Sequence, residues 1–193
     1  MLKLDYEKAF DRVSLDFLDD LLLKRGFGPR IRGWIKQTTR GGSVAVKVNN
    51  VEGNFFTTGK GLRQGDPLSP ILFNNVVDVF TKMLKKAATN NLIRGLCPHF
   101  FPGGIISLQY ADDTLLFVEN NTSTATHLKW VLTCFEQVSG MKINFNKSEL
   151  VPINLEKDDL DTIKKIFGCV EGTFPIKYLS IPLHHNKLRR EDL

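Results

Sequence analysis

The sequence predicts an α+β fold, with helices packed on one face of a mainly antiparallel sheet. Three observations carry the prediction. Two apolar stretches, residues 105–109 and 114–118, flank a short acidic turn in the manner of a hairpin. Longer segments repeat apolar residues every three to four positions, the period of an amphipathic helix. Short strands and helices are mixed along the chain in an order that suits an antiparallel sheet covered by helices. A chain of 193 residues is long enough to bury its own core, and one domain over 1–193 is the expectation.

Residues 1–5 alternate as a short strand, which stops at the charged and aromatic cluster beginning with Asp5. Ser14 is a natural helix N-cap, and Leu15, Leu18, Leu21 and Leu22 follow at helical spacing until Gly26 and Gly28 end the pattern. Pro29 opens a second helix carrying Ile31, Trp34 and Ile35, with Arg30, Arg32 and Lys36 among them. Val44, Val46 and Val48 alternate, and with the turn Asn49-Asn50 and the later Phe55-Phe56 they predict a β-hairpin over 43–58. Gly59, Gly61 and Gly65 break regularity before the longest helical pattern, from Ser69-Pro70 to about Ala88. Residues 90–104 are rich in turn formers. The acidic hairpin follows, then a helix over 124–138, Gly140, strands over 142–145 and 149–153, a helix over 157–167 and a last strand pair near 178–183.

Apolar residues make up 42% and charged residues 24%, the balance of a globular protein and not of a disordered or membrane chain. The excess of 26 Lys and Arg over 21 Asp and Glu favours a polyanionic partner. Lys82, Lys85 and Lys86 on the long helix, with Lys187, Arg189 and Arg190 in the tail, either attract phosphates or form a solvated face. No apolar run reaches the roughly 18 residues of a membrane span and no secretion signal opens the chain, so the expectation is no membrane partner and a nuclear or cytoplasmic location. Cys97, Cys134 and Cys169 are odd in number and far apart, which argues against a disulfide framework or a zinc pair and predicts core or near-surface thiols.

The chemistry concentrates at Asp112 and Asp113. Adjacent carboxylates at the tip of an apolar hairpin repel one another, and strand formation does not call for them. Either they make a turn, which aspartate does well, or they hold a cation. Magnesium prefers oxygen ligands, and two such ions about 4 Å apart clamp the attacking and leaving oxygens of a phosphoryl transfer. Asp5 also ends an apolar strand. If the two strands are neighbours, its carboxylate completes a cluster of three.

Five segments, in order along nearly the whole chain, resemble the motifs of reverse transcriptases, most closely those of plant-type LINE, or non-LTR, retrotransposons. Leu4-Asp5-Tyr6-Glu7-Lys8-Ala9-Phe10-Asp11-Arg12-Val13 is similar to motif A. Gly61-Leu62-Arg63-Gln64-Gly65-Asp66-Pro67-Leu68-Ser69-Pro70 is similar to motif B, a very specific signature. Tyr110-Ala111-Asp112-Asp113 is similar to motif C, Gly140-Met141-Lys142-Ile143-Asn144 with Lys147-Ser148-Glu149 to motif D, and residues 178–183 to motif E. The resemblance implies a polymerase palm that adds dNTPs to a DNA primer on an RNA template with two Mg²⁺ ions, or Mn²⁺ in their place.

Residue roles follow from that resemblance. Asp5, Asp112 and Asp113, with the backbone carbonyl of Tyr6, would hold the ions that balance the triphosphate's charge and activate the primer hydroxyl. Phe10 would stand beside the sugar 2′-carbon and exclude a hydroxyl; otherwise it is a core residue. Arg63, Gln64 and Gly65 would meet phosphate, nucleotide and template, glutamine offering donor and acceptor and glycine allowing close approach. Otherwise they form a loop before a helix capped by Ser69. Lys147 would protonate the leaving pyrophosphate, or is an exposed loop lysine. Tyr178, Leu179 and Ser180 would form the primer-side loop. Serine stands there in place of the usual glycine, so a positive φ at Ser180 would cost about 1 kcal/mol.

A complete member of this family has fingers before motif A and a thumb after motif E, and many carry an upstream endonuclease. The chain lacks most of these, so a truncated palm without efficient synthesis of its own is expected. Other readings stand beside the polymerase: a non-catalytic nucleic-acid-binding remnant, a group II intron maturase-like reverse transcriptase, or an RNA-dependent RNA polymerase, against which Phe10 and Gln64-Gly65 weigh. The oligomeric state is not legible in the sequence.

Overall fold

The computed structural model describes residues 1–57, 59–101, 103–117 and 119–184. In chain order the elements begin with β1 (Leu2–Leu4), α1 (Ala9–Arg12), α2 (Leu15–Lys24) and α3 (Pro29–Arg40), then the short strands β2 (Ser43–Val44), β3 (Lys47–Val48), β4 (Val51–Glu52) and β5 (Phe56–Thr57). The long helix α4 (Ser69–Thr89) precedes β6 (Ser107–Tyr110), β7 (Asp113–Leu116) and α5 (Thr122–Ser139). β8 (Glu149–Leu150), α6 (Lys157–Phe167), β9 (Val170–Glu171), β10 (Ile176–Tyr178) and β11 (Ile181–Leu183) complete the series. Contacts divide the chain into two compact units, one of Met1–Glu7, Phe80–Cys134 and Ile143–Leu193, the other of Lys8–Val79 and Phe135–Lys142.

The first unit is built on a sheet ordered β6-β7-β1-β8-β9. Its pairs are antiparallel except β8 with β9, which run parallel across α6. This is the α+β, antiparallel-dominated architecture the sequence predicts. Leu2 and Leu4 are buried and Lys3 is half-buried, the alternation of a strand with one face inward. Thr114, Leu115 and Leu116 are all buried, as suits a strand with a neighbour on either side. Leu115, Val151 and Ile176 form a core against which Phe174, Tyr178 and Leu183 pack. Helix α6 buries Leu160, Ile163 and Phe167 and stops at Gly168, whose φ of 68° closes the last turn.

The second unit starts at α1 and α2. Ser14 caps α2 as predicted, its side chain accepting the Phe17 N–H at 3.2 Å, and Leu15, Leu18 and Leu22 are buried. Pro29 is the first residue of α3, which Arg32 joins to Asp19 of α2 with bonds of 2.9 and 2.6 Å. Arg40 of α3 likewise meets Asp16. The expected hairpin is present as two short ladders, β3 with β4 about the turn Asn49-Asn50 and β2 with β5 outside them. Both asparagines have positive φ, 50° and 65°, the type I′ geometry that asparagine tolerates.

The structure corrects several details. The strand expected over 142–145 is reduced to one bridge, Tyr6 with Ile143, because the chain turns back at once: the Lys147 and Ser148 amides both donate to the Asn144 carbonyl. β8 ends at Leu150, ahead of Pro152, which has no N–H for a ladder. α4 starts at Ser69, so Ser69 is its first helical residue and not its cap; the Asp66 carboxylate accepts the Leu68 N–H at 2.8 Å instead. β9 and α1 were not predicted, being only two and four residues long. Cys97 and Cys134 are exposed and Cys169 is buried. Among the described residues no helix is long and apolar enough to cross a membrane. Lys82, Lys85 and Lys86 are exposed on α4, while Lys187, Arg189 and Arg190 lie outside the described residues.

Candidate active site

Asp5 leaves the end of β1, and the ladder determines what it faces. Leu2 pairs with Leu116, Lys3 with Leu115 and Leu4 with Thr114. The ladder stops at that pair; Asp5 is the next residue after Leu4 and Asp113 the one before Thr114, so both lie at the position that follows the last rung on adjoining strands. Directly opposed residues of such a pair have Cβ atoms about 5 Å apart. Asp113 in turn pairs with Tyr110, leaving Ala111 and Asp112 as a two-residue turn with Ala111 at φ 51°. Asp112 and Asp113 are exposed and Asp5 is half-buried.

The backbone of Asp5 is held from its other side. Its N–H donates to Ser148 Oγ at 3.1 Å, and its carbonyl accepts the Asn144 N–H at 2.7 Å. In this bridge the Asp5 carbonyl, not that of Tyr6, is the one Asn144 engages. Lys147 belongs to the same turn and is exposed. The turn between β10 and β11 carries the predicted primer-side residues. Leu179 and Ser180 both have positive φ, 50° and 67°, so the strained conformation expected at Ser180 is present at two successive positions. Burial pushes the Tyr178 phenol above its ordinary range, and the charge of Asp113 adds to the shift.

Phe10, Arg63, Gln64 and Gly65 fall in the second unit. Phe10 is half-buried, and its ring stacks on the fully buried Phe73 of α4 with centroids 4.3 Å apart and planes 13° apart. Residues 61–62 are stitched to the segment behind α1: the Gly61 N–H donates to the Val13 carbonyl at 2.9 Å and that of Leu62 to Phe10 at 2.8 Å. A Cβ on Gly61 would sit 2.5 Å from the Asp11 carbonyl oxygen, whereas one on Gly65 would meet nothing within 4 Å. Within this unit Gly61 packs against the Asp11 backbone, and Gly65 has open space where a side chain would stand. Arg63, Gln64 and Gly65 are exposed, and Arg63 lines a cleft of about 240 Å³ together with Lys60, Asp11 and Thr39.

The donor set suits a hard divalent cation. Asp5, Asp112 and Asp113 offer only carboxylate oxygens, and the exposure of the last two leaves room for the waters that Mg²⁺ retains. Among the described residues no group of three or more His, Cys, Asp and Glu side chains is drawn together as a ready-made metal cage. The cluster of three expected of Asp5, Asp112 and Asp113 is therefore not drawn together as a set among the described residues.

Sequence reasoning assigned no individual role to Ser148 and Asn144, which hold the backbone of Asp5, or to Gln109 and Thr114, whose side chains join the two arms of the acidic hairpin. Gln109 Nε2 donates to Thr114 Oγ1 at 3.1 Å, and Thr81 Oγ1 donates to Gln109 Oε1 at 3.3 Å. The available signal was the polar residue at 109 and at 114 on either arm of an apolar hairpin.

The family model described as "Reverse transcriptase (RNA-dependent DNA polymerase)" matches residues 1–183. The chain is 31% identical over 179 residues to the retrovirus-related Pol polyprotein from a type-2 retrotransposable element of Drosophila melanogaster, a match covering 91% of this chain and 16% of that protein. It is 31% identical over 150 residues to a transposon TX1 protein of Xenopus laevis, covering 76% of this chain and 11% of the other. The chain thus spans well under a fifth of the length of either relative. Its fold is similar to that of apo telomerase from Candida tropicalis, with a TM-score of 0.57 at 17% identity over 76% of this chain and 29% of that one.

Proposed function

Because the chain belongs to the reverse transcriptase (RNA-dependent DNA polymerase) family, we propose that it carries the palm of a non-LTR retrotransposon polymerase, which adds dNTPs to a DNA primer on an RNA template. The observation that carries this reading is the pairing of Leu4 with Thr114, which brings Asp5 beside Asp113. Two strand ends far apart in sequence each carry there a carboxylate that pairing itself does not need.

Asp5, Asp112 and Asp113, with the Tyr6 carbonyl, would hold two Mg²⁺ ions. When bound, these ions neutralise the triphosphate and lower the pKa of the primer 3′-hydroxyl. Asp5 would present its oxygens from just past the end of β1, Asp113 from the start of β7 and Asp112 from the turn before it. Phe10, backed by Phe73, would limit the space at the sugar 2′-carbon. Arg63, Gln64 and Gly65, exposed ahead of α4, would contact the incoming nucleotide and template. Lys147 would donate a proton to the departing pyrophosphate, and Tyr178, Leu179 and Ser180 would border the primer terminus. Residues 1–193 are read as this palm, and a nucleic-acid template and primer put the reaction in the nucleus or cytoplasm.

Extension of a DNA primer on an RNA template with Mg²⁺ and dNTPs tests the reading. Wild type should extend the primer and Asp112→Ala should lose at least about a hundredfold in rate, the scale of removing a principal source of transition-state charge stabilisation. Equal signals from the two, or RNA binding with no extension, would favour a non-catalytic remnant.

A further inference from the structure

We propose that Ser148 is a positioning residue for Asp5, setting the backbone from which that carboxylate reaches a divalent cation; this rests on the metal-binding role proposed above. Ser148 is fully buried, 0% exposed. Its hydroxyl is committed on both sides. It accepts the Asp5 N–H at 3.1 Å and donates to the Asn144 carbonyl at 2.9 Å. A hydroxyl has one proton to give, so the bond to Asn144 leaves its lone pairs directed at Asp5.

The rest of the turn completes the clamp. The Asn144 N–H donates back to the Asp5 carbonyl at 2.7 Å, so both backbone polar groups of Asp5 end on residues 144 and 148. The Asn144 carbonyl also takes the amides of Lys147 and Ser148, at 3.0 and 2.9 Å, which winds the turn tightly. The Ser148 carbonyl accepts the Val170 N–H at 3.2 Å, tying the turn to β9. The ring of Phe145 lies under Lys129 Nζ, 3.1 Å from its centroid, and this pins the middle of the turn. Asp5 needs such a clamp because β1 ends at Leu4: the ladder to β7 stops at Leu4 with Thr114, and that to β8 stops at Lys3 with Glu149. Without the serine hydroxyl the Asp5 N–H loses its partner and only the Asn144 bond to its carbonyl remains, which loosens the peptide from which the carboxylate projects.

The test compares Ser148→Ala, Ser148→Thr and Ser148→Cys in the full chain. The first readout is Mn²⁺ binding followed by electron paramagnetic resonance, with and without dNTP and primer–template. The second is the Mg²⁺ concentration giving half-maximal primer extension. Ser148→Ala should weaken Mn²⁺ binding and raise the Mg²⁺ requirement by about tenfold or more, the usual effect of losing an outer-shell partner, with KM for primer–template unchanged. Ser148→Thr, which keeps the hydroxyl, should recover most of the loss. Ser139→Ala, which removes a buried hydroxyl bonded to Phe135 and Met141, should lower the melting temperature and leave Mn²⁺ binding alone. If Ser148→Ala does not fold, Ser148→Cys fills the site with a slightly larger atom that is only a weak donor and acceptor, weakens both hydrogen bonds, and should show the same direction of change.

Wild-type Mn²⁺ affinity and Mg²⁺ dependence in Ser148→Ala, or in Ser148→Cys where that variant decides, would overturn the inference while leaving polymerase activity standing. A chain that binds Mn²⁺ in a Ser148-dependent way but never extends a primer would uphold it and sink the polymerase reading. A wild type that binds no Mn²⁺ under either condition would overturn both.

Discussion

Gln109 Nε2 donates to the hydroxyl of Thr114 at 3.1 Å, across the two strands that hold the acidic turn between them. Thr114 is 1% exposed, so this bond is its protection from an unsatisfied burial. Gln109→Leu is expected to destabilise the chain by about 1–2 kcal/mol, the cost of orphaning a buried hydroxyl. A denaturant midpoint equal to wild type would show that the pair contributes nothing.

A cation shared by Asp5 and Asp113 would bind the folded chain and not the unfolded one. Mg²⁺ at ten times its dissociation constant should therefore add about 1.4 kcal/mol of stability, reversed by a chelator. Asp5→Asn should lose most of that increment and have no other large effect on folding. Thermal melts with and without Mg²⁺ decide the matter, and an equal rise in wild type and variant would place the cation elsewhere.

Gly61 and Gly65 share nearly the same φ, 87° and 86°, but not the same surroundings. Gly61→Ala drives a Cβ to 2.5 Å from a backbone oxygen and should cost at least about 2 kcal/mol. Gly65→Ala meets nothing within 4 Å and should cost about 1 kcal/mol, the conformational term alone. Should Gly65→Ala nonetheless raise the KM for dNTP, its role lies in substrate approach. Equal stabilities for the two variants would contradict the difference in packing.

At the β10–β11 turn, Leu179 and Ser180 both adopt the left-handed conformation that non-glycine residues avoid. Ser180→Gly should raise stability by about 0.5–1 kcal/mol, the relief of strain less the extra chain entropy of glycine. A lower denaturant midpoint in this variant would mean that the serine side chain makes a contact worth more than the strain.

Burial raises the pKa of the Cys169 thiol, whereas Cys97 and Cys134 are exposed. Only the thiolate alkylates readily. At pH 8 in native buffer, iodoacetamide should modify Cys97 and Cys134 within minutes and leave Cys169 intact until denaturant is added. Mass spectrometry of the peptides reads this out, and modification of Cys169 at a comparable rate would show that its burial is transient.

The local elements were legible because each is determined by neighbours in sequence. The leucines of α2 after the Ser14 cap, Pro29 at the start of α3, the Asn49-Asn50 turn and the 69–89 helix all follow from spacing and capping chemistry. What failed locally was short and without a periodic signal: α1, β9 and the supposed strand at 142–145, whose amides are taken by a turn. The acidic residues were legible by kind, since two carboxylates at a hairpin tip need a reason. Their meeting was not. Whether Asp5 stands beside Asp113 depends on β1 inserting between β7 and β8 in one register, and a slip of one residue would turn its carboxylate to the other face. That choice, and the commitment of Ser148 to the Asp5 amide across 143 residues of chain, arise from packing between distant segments, where no residue's own propensity carries the information.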